Sequence, residues 1–208
     1  MPARGTATNR GLAVDRALAS GRGTASGRFN VDGSGGGGGG GDDMTFLDSI
    51  ALDSVQTFSA ISGAYRHLEI YYVARSDNVA AQGLLMRFNG DTGANYDYEI
   101  TQAQDGSFNA IAAGVAQTSI QIGRLNPSGA PAGSMASGRI WIPYYSTTAQ
   151  DKGALGMVHC IDAAASTFIL LNAGGTWRTA NAAITSITFI GGSGAFAANS
   201  VASLYGIT

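Results

Sequence analysis

Short runs in which apolar and polar residues alternate with period two, each closed by Gly, Asn, Asp or Ser, recur from residue 44 to residue 208 and leave this chain few ways to fold. The alternation is clearest in His67 to Val73, Thr118 to Ile122, Gly138 to Pro143 and Ala183 to Ile190. Three further runs, Leu84 to Phe88, Met157 to Ile161 and Thr167 to Leu171, are more continuously apolar and read as strands covered on both faces. With Ile50 to Phe58, Tyr96 to Ile100 and Ser200 to Ile207 the count reaches about ten strands, the signature of an all-β, antiparallel β-sandwich or jelly roll. Charged residues make up only 12% of the chain, which suits a packed β protein or a repetitive assembly better than a typical cytosolic enzyme.

Ahead of this body the composition changes. Arg4, Arg10, Arg16, Arg22 and Arg28 stand at a strict six-residue spacing, and Ala7, Ala13, Ala19, Ala25 and Val31 repeat at the same period. In an extended or polyproline-II chain a spacing of six returns every arginine to one face, whereas an α-helix would scatter them. Residues 1–34 therefore read as an extended anchoring arm whose guanidinium groups suit carboxylates or phosphates, with a low-complexity tail as the plainer reading. The best helical signal of the chain, Leu12 to Ser20, also falls here. Residues 35–43, with glycine from Gly35 to Gly41, read as a tether, and residues 44–208 as one sandwich domain.

Charge separates the two parts. Residues 1–28 hold five Arg against Asp15, a net of +4, and the remainder holds seven basic and thirteen acidic residues, a net of −6. The arm lacks lysine and interleaved aromatics, so a nucleic-acid role is disfavoured. The start Met1-Pro2-Ala3-Arg4 carries no apolar signal region and no run approaches the ~18 apolar residues of a membrane helix, so a soluble protein made in a cytoplasm is expected. A lone cysteine, Cys160, excludes an intrachain disulfide and reads as a small buried hydrophobe.

The densest polar cluster is Asn89, Asp91, Asn95 and Asp97, four oxygen donors that could converge on a cation. Asn89-Gly90 and Asp91-Thr92-Gly93 are also strong turn signals, and the spacing does not fit an EF-hand loop, so the turn reading is preferred and no metal or other cofactor is assigned. Enzyme signatures are weak. His159 and Cys160 are adjacent and would point to opposite faces of a strand, Glu69 and Glu99 have no evident reason to meet, and no phosphate-binding loop, nucleophile elbow or zinc spacing is present. An enzyme is not expected.

Aromatics offer a route to recognition. Tyr71, Trp141, Tyr144, Tyr145 and Trp177 are candidates either for stacking sugar rings or for an interface between copies. Tyr72 shares parity with Leu68 and Ile70 and reads as core, whereas Tyr71 and Trp141 fall opposite their aliphatic neighbours.

Three groups of residues carry a family resemblance: Arg87-Phe88-Asn89-Gly90-Asp91-Thr92-Gly93-Ala94-Asn95-Tyr96, Tyr65-Arg66-His67-Leu68 with Ala74-Arg75-Ser76, and Ser203-Leu204-Tyr205-Gly206-Ile207. In this order they resemble a group of tailed-bacteriophage virion proteins, from about Ile50 to the last residue. The resemblance implies a non-enzymatic structural component of the particle, such as a fibre, tail appendage or head decoration, located in the virion. It also implies self-association, with a homotrimer expected. The arm, which lies outside the resemblance, would bind other virion proteins of capsid or tail. The alternative is a carbohydrate-binding receptor-recognition module of a tail fibre, which recognises a host surface glycan and is joined to a larger fibre by the arm.

Overall fold

The computed structural model describes residues 43–162, 167–179 and 182–208. The periodic arginines Arg4, Arg10, Arg16, Arg22 and Arg28, the Leu12 to Ser20 segment and the glycine run lie outside them. Twelve strands make up the described fold: β1 (Met44–Ala51), β2 (Val55–Phe58), β3 (His67–Ala74), β4 (Gln82–Phe88), β5 (Tyr96–Gln104), β6 (Ser107–Gln117), β7 (Ile120–Leu125), β8 (Ala136–Pro143), β9 (Lys152–Ile161), β10 (Phe168–Trp177), β11 (Ile187–Gly191) and β12 (Val201–Ile207). No helix occurs among the described residues.

Two antiparallel sheets share these strands. The large one runs β1-β12-β3-β8-β9-β10-β5-β6 and the small one β2-β11-β4-β7. The pairing is nested along the chain: β1 with β12, β2 with β11, β3 with β8, and β4 with β7. Two hairpins, β5-β6 and β9-β10, are inserted into this nest and widen the large sheet alone.

Alternation explains the core. Leu68, Ile70 and Tyr72 of β3, Ile140 and Ile142 of β8, Val158 and Cys160 of β9, and Ile169 and Leu171 of β10 all face inward. They meet Leu84, Met86 and Phe88 of β4, Ile120 and Ile122 of β7, and Ile187 and Phe189 of β11 in one buried cluster. Close approach is made possible by glycine under Tyr72. A Cβ on Gly123 would lie 2.5 Å from the Tyr72 hydroxyl, and one on Gly138 would lie 2.6 Å from its ring.

The corner loop between β7 and β8 is held by one side chain. Arg75 donates through Nη1 to the carbonyls of Pro131 and Ser134 and through Nη2 to those of Ser128 and Ala130. A planar guanidinium with diverging donors serves this geometry, and the loop's carbonyls gain partners that no strand supplies.

The strand pattern departs from the sequence reading at four places. Ile50 to Phe58 is two strands in different sheets, split after Ala51. The Ala183 to Ile190 alternation becomes strand only from Ile187. β6 carries no sequence signal, because an edge strand exposed on both sides needs no alternation. Two of the continuously apolar runs are not covered on both faces: Met157 is 59% exposed, Phe168 and Leu170 are exposed as well, and Leu155, just ahead of the first run, is 55% exposed.

Candidate functional site

Those uncovered residues define the candidate site, the outer face of the large sheet. The register places its side chains in rows across the strands. One row is Tyr205, Glu69, Trp141, Leu155, Gly174 and Glu99; the next is Ser203, Tyr71, Arg139, Met157, Asn172 and Thr101. A third runs Val201, Val73, Ser137, His159, Leu170 and Ala103. Because the strand period is two, every residue of a row points to the same side of the sheet.

At one end of the face the rings interlock edge to face. Phe46 meets Tyr205 at 5.6 Å and 71°, and Tyr71 meets Tyr205 at 5.7 Å and 88°. In the middle, Arg139 Nη2 donates to Glu69 Oε2 at 2.9 Å and its Nε lies against Oε1, a salt bridge with one hydrogen bond. Glu69 is only 2% exposed although it faces outward, since its neighbours in the rows lie over it. The carboxylate raises the Arg139 guanidinium still further above its ordinary range, through their hydrogen bond first. Tyr71 is likewise held above the usual phenol value, by its interaction with Glu69 ahead of burial.

Beside this pair lies a trough of about 320 Å³ lined by Arg139, Trp141, Leu155, Met157 and Asn172. A second depression, of about 340 Å³, begins at Gly174, the cross-strand neighbour of Leu155, and reaches Glu99, Thr176 and Val115. Half of the positions in the three rows are apolar or aromatic. Across β12, β3, β8, β9 and β10 the charged side chains of the face are Glu69 and Arg139, already paired with each other.

The candidate aromatics divide between surface and core. Tyr71 is exposed and Trp141 half-buried, both on the outer face, on neighbouring strands. Tyr144 is 44% exposed just past the end of β8, where its φ of 47° turns the chain. Its ring meets His67 at 4.8 Å, His67 in turn meets Trp141 at 5.6 Å, and the Arg66 guanidinium lies 5.7 Å from the Tyr144 ring. Tyr145 and Trp177 are corrections. Tyr145 is wholly buried with its hydroxyl donating to Ser62 O, and Trp177 is 2% exposed with Nε1 donating to Asp91 Oδ2 at 2.7 Å. The turn at Tyr144 sends Tyr145 inward, and Trp177 sits on the inward parity of β10 among Phe88 and Tyr96, so neither can touch a sugar or another copy.

The polar cluster at residues 89–97 is occupied by the fold itself. Asn89 and Gly90 have φ of 52° and 66° and form a tight turn closed by Asp91 N donating to Phe88 O. That turn does not make a hairpin, since β4 and β5 lie in different sheets. Asn89 Oδ1 accepts from the backbone N–H groups of Thr185 and Ser186, and its Nδ2 donates to Ala183 O. Asp91 accepts from Trp177, from Asn95 Nδ2 at 2.8 Å and from Gly93 N at 2.7 Å; the Trp177 bond first, and then the others, hold its carboxyl below the usual range. Asp97 accepts from Ala116 N and pairs with Arg178 at 3.1 Å. Asn89, Asp91 and Asp97 thus direct their oxygens at protein donors, and Asn95 is itself a donor to Asp91.

The remaining titratable candidates are spread apart. Glu69 and Glu99 share a row but stand four strands apart, about 19 Å at the ordinary inter-strand spacing, well beyond the 5–10 Å of a glycosidase pair. His159 faces outward, with Nδ1 3.1 Å from Ser137 Oγ and its ring stacked on Phe168 at 5.2 Å. Cys160 faces the core, where burial pushes its thiol up to about 11, the reverse of an activated nucleophile.

Sequence reasoning found Tyr71 and Trp141 by parity and missed Phe46, Leu155, Met157, Phe168, Leu170 and Tyr205. The signal for three of these, Met157, Phe168 and Leu170, was visible in the continuously apolar runs, whose second parity was assigned to a covering layer that the described residues do not supply. No family model, curated protein or solved structure matches this chain.

Proposed function

We propose that this protein is a non-enzymatic structural component of a tailed-bacteriophage particle, a fibre, tail appendage or head decoration. In this reading the arginine-periodic arm of residues 1–34 docks on capsid or tail proteins, the glycine run spans the gap, and the sandwich projects from the virion as a self-associating unit, with a trimer expected. The nested strand pairing is that of a jelly roll, an architecture frequent in viral shell proteins and in lectins, here enlarged by two inserted hairpins on one sheet.

The observation that carries the reading is the eight-stranded face with its rows of uncovered apolar side chains. Soluble monomers rarely keep an apolar patch wider than about 300–600 Å² in water, and patches of that size mark surfaces of assembly. The resemblance of the 87–96, 65–68, 74–76 and 203–207 segments to phage virion proteins points the same way.

A second reading, carbohydrate recognition, draws on the Trp141 ring beside the trough and on Asn172, an amide at its rim. The lining speaks against it as the main role: Leu155 and Met157 dominate the trough, and Arg139 is engaged by Glu69, so few directed polar groups remain for sugar hydroxyls.

The test is co-sedimentation with purified phage particles. The full chain should sediment with them, and a chain lacking residues 1–34 should stay in the supernatant while keeping its β-type circular dichroism. Attachment of the shortened chain would move docking to the sandwich. Failure of the full chain to attach would contradict the virion role.

A further inference from the structure

We infer that the outer face of the large sheet, centred on Trp141, Leu155 and Met157, is where copies of this chain meet each other. The inference rests on the structural-component reading, to which it adds the surface through which association occurs.

Size is the first argument. Eight strands at ~4.8 Å spacing and about six residues of shared length give a face of roughly 34 by 20 Å, near 700 Å² before side-chain relief. A standard protein–protein interface takes about 800 Å² from each partner, so the face comes near one partner's share only if nearly all of it is used and side-chain relief adds the remaining ~100 Å².

Charge selects the occupant. A surface that meets a copy of itself must not repel itself, and a surface made for a charged foreign partner carries the opposite sign. Over β12, β3, β8, β9 and β10 the outer face holds one acid and one base, Glu69 and Arg139, joined to each other by a hydrogen bond within a salt bridge. Over these five strands two such faces can approach without unpaired charge, Glu99 of β5 lying outside them, even though residues 29–208 carry a net of −6. The side chains around the pair are those that dominate the centres of interfaces: Trp141, Tyr71, Tyr205, Met157 and Leu155. The trough beside Trp141 offers a place for a ring or an aliphatic side chain of the second copy.

Two outward strand positions can be charged without touching the core: Leu155→Glu and Met157→Glu, at residues more than half exposed. The experiment compares the full chain, the L155E M157E chain and a control, Val79→Glu, whose residue is 75% exposed in the loop after β3. Molar mass by light scattering and tryptophan emission are read together. The chain has two tryptophans and Trp177 is buried, so any change in emission on dissociation reports Trp141.

The full chain and V79E should share one oligomeric mass. L155E M157E should fall to the single-chain mass with unchanged circular dichroism and a red-shifted emission. An oligomer that survives in L155E M157E would overturn the inference and leave self-association standing. Dissociation by Val115→Glu on the β6 edge, with L155E M157E intact, would move the contact to that edge. A full chain that stays monomeric at high concentration would remove both the inference and the self-association on which it rests, and a blue shift of its emission with added oligosaccharide would hand the face to a sugar.

Discussion

Asp91 shows how a single side chain that reads as a metal ligand becomes a structural clamp. Its two oxygens accept the Trp177 indole, the Asn95 amide and the Gly93 backbone, which fixes the loop from Asn89 to Asn95 against the end of β10. The clamp has a pH signature. With a folded pKa below the ordinary 3.8, the ionised carboxylate stabilises the fold fully above that value, and the contribution is lost as pH falls through the lower folded value. Urea unfolding midpoints should therefore be flat from neutral pH to about 5 and drop below about 4, and Asp91→Asn should lower the neutral midpoint and make the acid drop shallower. A D91N chain with the same midpoint and the same acid slope would show that the clamp carries no stability. At this scale the turn was legible, because Asn and Gly are the residues that tolerate positive φ. The partners were not, since Trp177 lies 86 positions from Asp91 and nothing local joins them.

Among the elements, the strands that sequence reveals best are those with one wet face. β3 and β8 alternate and were legible residue by residue, including which of Tyr71 and Tyr72 faces the core. β6 has eleven residues, mostly exposed, and no buried parity to announce it. β9 and β10 misled in the opposite sense: their apolar residues on both parities imply two covered faces, and the described chain covers one. Tyr145 takes its direction from the turn at Tyr144, and Trp177 follows the inward parity of β10, which extends beyond the run that sequence revealed. The tight fit of β3 on β7 and β8 gives a test. Gly138→Ala places a methyl 2.6 Å from the Tyr72 ring and should cost about 1–3 kcal/mol of stability by denaturant unfolding. Adding Tyr72→Leu should make the two effects non-additive, with the second substitution recovering part of the loss. Additive effects would mean that the glycine is not there to admit the ring.

For the whole molecule, two sheets of unequal width are the central fact. The small sheet of four strands cannot roof a sheet of eight, and the inserted hairpins β5-β6 and β9-β10 carry the excess. Apolar side chains nevertheless run on across the outer side, so burial is incomplete in the single chain and is completed, in this account, by other copies. Sequence made the class of the fold legible through period and turns. The division into eight and four depends on long-range pairing and has no local signal.

The most direct measurement is the molar mass, by light scattering at matched concentrations, of the full chain and of a chain beginning at Asp43. The account predicts the same oligomer for both, because the face that associates lies wholly within β-strands beginning at Met44. A full-length oligomer paired with a monomeric 43–208 chain would contradict it, and would leave the outer face of the large sheet open to solvent.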